Sequence, residues 1–482
     1  MNPVILTLII VAYFILILIV SYVTGKNASN KTFFTGDRKS KWYLVSFGMI
    51  GASLSGVTFI SVPDWVQTSQ FAYIQMVLGY LVGYMIIARI LLPVYYKLQL
   101  TSIYTYLDER FGRASYKTGA WCFLISRTIG ASFRLFLVAN VLQWTIGKYF
   151  HLPYFITVAI TILLIWLYTF KGGIRTVVYT DVLQTLFMLI AVALTIFFIA
   201  RQLQLSFGGI VETVKESHLS RVFFFDNFKG NPNHFLKQFI SGVLIAVSMT
   251  GLDQDMMQKN LTCRNLKEAQ KNVYWYGFSF LPMNIIFLSL GVLLFIYAQV
   301  NQIVIPETAD TLYPVIATGG TLPSVVTILF MLGLIAAAYS SADSALTALT
   351  TSVTIDILDG NRLDDARLKK LRIRVHVIVS IVLLLIILIF KAVNNENVVS
   401  ALFKAAGYTY GPILGIFTFG LFTKWKIRDQ YIFIIALVAP GLTYIFNKYS
   451  EFLFSGYIFS FEILLMNGVL TFLGLMLLIR RK

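Results

Sequence analysis

Thirteen apolar stretches follow one another along this chain, most of them near the ~20 residues that an α-helix needs to cross a hydrocarbon layer. They fall at residues 4–23, 42–62, 71–96, 119–146, 155–170, 177–200, 239–257, 273–297, 325–357, 375–390, 399–422, 431–446 and 457–479. No water in a bilayer core satisfies backbone N–H and C=O groups, so runs of this kind must be helices whose hydrogen bonds close within each segment. The pattern predicts an all-α polytopic membrane protein with about 13 transmembrane helices. The balance of 57% hydrophobic to 13% charged residues agrees. The first stretch has no basic leader and no small-residue cleavage site, and reads as a retained helix. No soluble domain or low-complexity linker separates the stretches, so residues 1–482 read as a single transmembrane domain.

The net charge of +17 is not spread evenly. Lys26, Lys31, Arg38, Lys39 and Lys41 follow the first stretch, Arg110, Arg113 and Lys117 the third, and Lys171 and Arg175 the fifth. Lys259, Arg264, Lys267 and Lys271 follow the seventh, Arg362, Arg367, Lys369, Lys370, Arg372 and Arg374 the ninth, and Arg480, Arg481 and Lys482 end the chain. Alternation of this kind is the positive-inside pattern, with the N-terminus outside and the C-terminus cytoplasmic. It makes the lipid bilayer the partner of the basic residues and argues against nucleic acid. Cys122 and Cys263 imply no disulfide framework. His151, His218, His234 and His376 fall in or near connections without metal-ligand spacing, and no nucleophile elbow or phosphate-cradling glycine motif is present. An enzyme is therefore not expected.

Two stretches carry small and polar residues where a lipid-facing helix favours Leu or Ile. In the second, GASLSGVTFISVP brings Gly51, Ser53, Ser55, Gly56, Thr58 and Pro63 together; in the seventh, VSMTGLDQD gathers Ser248, Thr250, Gly251, Asp253 and Asp255. Such runs fit either a seam of closely packed helices or an unwound segment shielded by protein or water, whose freed carbonyls coordinate a cation. Interrupted segments opening two successive halves, approximately residues 42–200 and 239–422, point to an inverted-repeat transporter.

The ninth stretch is more polar still, with Ser340, Ser341, Asp343, Ser344, Thr347, Thr350 and Thr351. At 3.6 residues per turn, Ala337, Ser340, Ser341 and Ser344 share one face and Asp343 lies beside it. Na+ is a hard cation, bound by the oxygens of hydroxyls, carbonyls and carboxylates. Membrane-helix hydroxyls also bond back to the preceding turn. An ionised carboxylate at helix centre is different, because it costs roughly 2.5–3.5 kcal/mol even on the insertion scale. Asp181, near the cytoplasmic end of the sixth stretch, reads as an interfacial carboxylate. Arg127, Arg134 and Lys404 have three roles open to them: holding a substrate carboxylate, pairing with Asp343 or Asp181, or snorkelling.

The motifs ASLSGVTFISVP, GGIRTVVYTDVLQ, DQDMMQKNLTCRNLKEAQ and AAAYSSADSALTALTTSVTIDI, in this order, resemble the sodium:solute symporter family, nearest to its bacterial sialic acid transporter members. The resemblance implies a LeuT-type 5+5 inverted repeat with one extra helix before the core and two after it. It implies import of a small organic solute, a sialic acid, another carboxylate or a sugar, by alternating access with Na+ as the coupling ion. Carried onto this chain, it implies a main Na+ site of the Gly51, Leu54 and Ala337 carbonyls with the Ser340 and Ser341 hydroxyls. A second Na+ site would draw on Ser340, Asp181, Asp343 and Ser344. Asp343 stands where the sialic acid relative has serine, leaving three readings: a tighter second Na+, a protonatable group, or a partner for Arg127. The implied substrate pocket has Ser53, Ser55 and Thr58 on one wall, Tyr73 and Arg127 opposite, and Val77 where the relative has glutamine. A transporter-shaped solute sensor without flux is the alternative.

Overall fold

The computed structural model describes residues 3–26, 28–305, 310–393 and 398–480; Arg481 and Lys482 of the basic tail lie outside the described residues. All of its regular elements are helices, and their order follows the apolar stretches: α1 (Pro3–Gly25), α2 (Trp42–Ser53), α3 (Gly56–Ser69), α4 (Tyr73–Ile86), α5 (Arg113–Leu142), α6 (Tyr154–Thr169), α7 (Ile174–Gln202) and α8 (Phe235–Ala246). Then come α9 (Gln254–Asn260), α10 (Leu266–Val300), α11 (Ser324–Ser352), α12 (Asp365–Val393), α13 (Val398–Thr409), α14 (Gly411–Phe422), α15 (Ile432–Lys448) and α16 (Ile463–Leu477). Among the described residues eight helices are long and apolar enough to cross a membrane, and α2–α3 and α8–α9 each do so as a bent pair. The shorter apolar helices α6, α14 and α16 fall on the remaining stretches.

Both expected interruptions are breaks. α2 stops at Ser53, Leu54 leaves the helical region at φ −76°, ψ 50°, Ser55 is extended, and α3 departs at 53°. In the second, a wide π turn at Val247–Gly251 loosens the end of α8 before Asp253 turns extended, and α9 leaves at 68°. π turns of this kind cluster at functional sites. Asp253 starts α9 by accepting hydrogen bonds from the backbone N–H groups of Asp255 (2.9 Å) and Met256 (3.3 Å), the usual chemistry of an acidic N-cap. A third interruption was not expected: residues 399–422 form two helices, α13 and α14, meeting at Tyr410 just before Pro412.

At the centre stands α11, whose residues 333–352 are all buried. Its polar run therefore faces protein and not lipid. It packs most extensively on α7, which also carries α2. α4 and α8 make the closest approach: a Cβ on Gly79 would lie 2.1 Å from the Phe239 carbonyl oxygen, and one on Gly242 would lie 2.0 Å from that of Met76. Only glycine permits such contact of backbones. At the opposite end of the bundle from Lys26 and Lys171, Asp310 ties three elements together. Its N–H donates to Asp64 of α3 (2.8 Å) and its carboxylate accepts from the Val398 N–H that opens α13 (2.8 Å). Burial pushes the Asp310 carboxyl up to about 7 from its ordinary 3.8. His376, expected near a connection, lies inside α12, wedged between Thr169 (3.0 Å) and Thr350 (2.7 Å).

Candidate functional site

The break in α2 faces the hydroxyl face of α11. Ser341 Oγ donates to the Ala52 carbonyl at 2.8 Å, with the Ala337 carbonyl of its own helix 3.4 Å away. Ala52 lies between Gly51 and Leu54, so that α11 hydroxyl meets α2 in the turn where the helix ends and its carbonyls lose their intrahelical donors. Gly51 must be glycine: a Cβ there would fall 1.8 Å from Thr185 Oγ1 of α7. Gly56, where α3 starts, sets that helix against α11, with 3.4 Å between its added Cβ and that of Ala338.

Ser340 points the other way. Its Oγ donates to Asp181 Oδ1 at 2.5 Å, while Lys259 Nζ donates to Asp181 Oδ2 at 2.6 Å. Two expectations change here. Asp181 is fully buried and not interfacial, because α7 is enclosed by α2 and α11 at that level. Lys259, placed by sequence in a cytoplasmic connection, is only 1% exposed, because the bend at Asp253 turns α9 back under the bundle. A buried ion pair holds only when geometry and extra hydrogen bonds offset the desolvation of both charges, and Ser340 supplies one such bond.

Asp343, also fully buried, accepts from Tyr168 OH (3.0 Å), Thr180 Oγ1 (3.4 Å) and the Ser344 N–H (2.6 Å). It makes no salt bridge among the described residues, and the neighbouring Ser344 Oγ and Thr347 Oγ1 have no hydrogen-bond partner there. Arg127 is engaged elsewhere, on Asp255, with Asp253 Oδ2 at 4.0 Å. Tyr410 OH, at the unexpected α13–α14 break, also donates to Asp253. The guanidinium thus fastens α5 to the start of α9, and of the three readings of Asp343 the pairing with Arg127 is absent.

A cavity of about 80 Å3 lies beside the α2 break and is lined by all five residues expected of a substrate pocket, Ser53, Ser55, Thr58, Tyr73 and Arg127. Sequence reasoning missed its aromatic wall. Tyr276 OH lies 2.6 Å from Ser53 Oγ and accepts from Tyr84 OH (3.1 Å), and Tyr80 OH lies 3.4 Å from Tyr73 OH. Their hydroxyls, scattered over α4 and α10, leave no contiguous motif. Arg134 lines the same cavity, and its Nε has no hydrogen-bond partner and its side chain no salt bridge among the described residues. That residue was legible: seven positions from Arg127, it returns to the same helix face after two turns.

The family model described as "Sodium:solute symporter family" matches residues 33–429. The sodium/sialic acid symporter NanT of Aliivibrio fischeri is 26% identical over 426 residues, covering 84% of this chain and 80% of that protein. SiaT of Proteus mirabilis, also a sodium/sialic acid symporter, is 23% identical over 479 residues, 94% of this chain and 92% of its own. Among solved structures, a substrate-bound, outward-open sodium-coupled sialic acid symporter superposes with a TM-score of 0.83 at 20% identity, covering 98% of this chain and 97% of that one. A nucleobase-cation-symport-1 family transporter in a closed conformation gives 0.55 at 16% identity, with 93% of each chain covered. These likenesses fix the fold as LeuT-like.

Proposed function

This chain belongs to the sodium:solute symporter family, and we propose that it imports a small organic acid together with Na+ by alternating access. It is a multi-pass membrane transporter of a small solute and not an enzyme. The observation that carries the finer reading is the bond from Ser341 of α11 to the Ala52 carbonyl at the α2 break. An oxygen-rich meeting of two helices, one of them unwound, suits a dehydrated monovalent cation, whose binding draws the two together. The main Na+ site is then Gly51, Leu54, Ala337 and Ser341, and Ser340 joins it by turning its hydroxyl from Asp181 as the ion enters. Asp343 and Ser344 form the second locus. Lys259 already neutralises Asp181, so Asp343 carries either the second Na+ or a proton.

An acidic solute is favoured by Arg134, the cavity guanidinium that makes no salt bridge among the described residues. The named substrate of the two bacterial relatives, sialic acid, is a carboxylate of this class. The two repeats run over approximately residues 42–200 and 239–422. The N-terminus is outside and the C-terminus cytoplasmic in a bacterial-type plasma membrane, supported by the gathering of Lys26, Lys171 and Lys369 around one cavity at one end of the bundle. Uptake of radiolabelled sialic acids, monocarboxylates and neutral sugars into proteoliposomes, with and without an inward Na+ gradient, tests this. Gradient-driven accumulation of an acid is expected. Binding without accumulation would establish the sensor instead, and uptake indifferent to Na+ would overturn the ion site.

A further inference from the structure

At the basic end of the bundle a cavity of about 420 Å3 opens between the end of α1, the end of α6 and the start of α12. Lys26, Lys171, Lys369 and Arg372 line it, and no Asp or Glu among the described residues does. Arg372 is 4% exposed, yet its Nε and Nη1 have no hydrogen-bond partner and it makes no salt bridge among the described residues. Its guanidinium stacks on Phe33 at 4.2 Å, an attraction that leaves those N–H donors unmet. A buried, unpaired guanidinium among three lysines calls for an anion with several oxygens, and phosphate matches its fork of donors.

The cavity does not stand alone. Phe170 and Ile373 on its wall are followed, one turn along each helix, by Trp166 of α6 and Val377 of α12, which line an apolar groove of about 290 Å3. The groove continues past Leu163 and Ile381 towards Leu384. A cationic cup opening onto an apolar furrow along the same two helices is the order of headgroup charge and acyl chain in a phospholipid. We propose that this is a binding site for one anionic phospholipid, its phosphate on Arg372 and the three lysines and one acyl chain between α6 and α12. Basic pockets between membrane helices select such headgroups.

The test is native mass spectrometry and thermal unfolding of the full chain in detergent, titrated separately with phosphatidylglycerol, phosphatidylcholine and inorganic phosphate. One phosphatidylglycerol per chain should be retained and raise the midpoint, with little effect from the other two. Arg372→Gln should abolish the shift. Should that variant not fold, Lys171→Gln with Lys369→Gln, both exposed, should weaken retention about fivefold per lysine, and Ile381→Ser in the groove should weaken it without altering headgroup preference. Equal retention of phosphatidylcholine, an equal shift from inorganic phosphate, or wild-type binding by the lysine variant would each overturn the proposal. None of these readouts involves Na+ or solute.

Discussion

Lys259 Nζ lies 2.6 Å from Asp181 Oδ2, with both side chains out of reach of water and Ser340 completing the carboxylate's partners. The pair joins α9, beyond the second break, to α7, which packs against the first. Removing one charge strands the other. Lys259→Gln is expected to destabilise by about 3–5 kcal/mol, and Lys259→Gln with Asp181→Asn to recover most of it. Thermal unfolding of Lys259→Gln, Asp181→Asn and the double variant checks this; purely additive losses would show that the pair contributes no interaction.

Ser341 reaches the α2 break and Ser340 does not, so their substitutions separate. Ser341→Ala should leave the protein folded and raise the Na+ concentration for half-maximal uptake about tenfold, from the loss of a hydroxyl ligand at ~1.5 kcal/mol. Ser340→Ala in addition should raise it further by loosening Asp181. Sodium titrations of uptake that overlay the wild type would remove the main site from this position.

The two arginines of α5 should also part company. Arg127→Gln leaves Asp255 and Asp253 facing each other without their cation, and a lowered unfolding midpoint is expected. Arg134→Gln meets no such neighbour, and should leave the midpoint unchanged while raising KM for the acidic solute by about tenfold to a hundredfold. A neutral solute transported equally well by Arg134→Gln and wild type would redirect the substrate assignment.

Asp343 has hydrogen-bond donors and no salt bridge among the described residues. Asp343→Ser is expected to change either the Na+ Hill coefficient or the pH profile of uptake. Charge-to-solute ratios measured at two pH values distinguish a second Na+ from a proton. Unaltered coupling on both axes would make the residue structural.

Asp310 sets a pH dependence of stability. Its folded carboxyl titrates near 7 against an ordinary 3.8, so between those values the folded state retains a proton that the unfolded state has released. Stability should fall as pH rises from about 4 to about 7 and then level off, and Asp310→Asn should flatten that slope. Unfolding midpoints across the range, wild type against variant, provide the measurement.

Much of the arrangement was legible because lipid leaves few choices. Apolar length located the spans, and clusters of small and polar residues at Gly51–Gly56 and Ser248–Asp255 located both broken helices. What escaped depended on where a bend sends the chain. Lys259 looks cytoplasmic when read along the sequence, and only the 68° turn at Asp253 brings it beneath α7. Arg127 was recognisable as an intramembrane cation, but its pairing with Asp255 and not Asp343 depends on where the second break carries the start of α9. Tyr84 and Tyr276 meet across 192 positions of sequence, and no local pattern announces it.

The bare contact between Gly79 and Gly242 leaves no side-chain cushion on which α4 and α8 could slide. The two helices are keyed like the teeth of a clasp, and any rearrangement of the bundle has to carry them as one lever. Tyr73, Tyr80 and Tyr84 ride on one arm and Ile245 on the other, so this flank of the cavity can only travel as one piece.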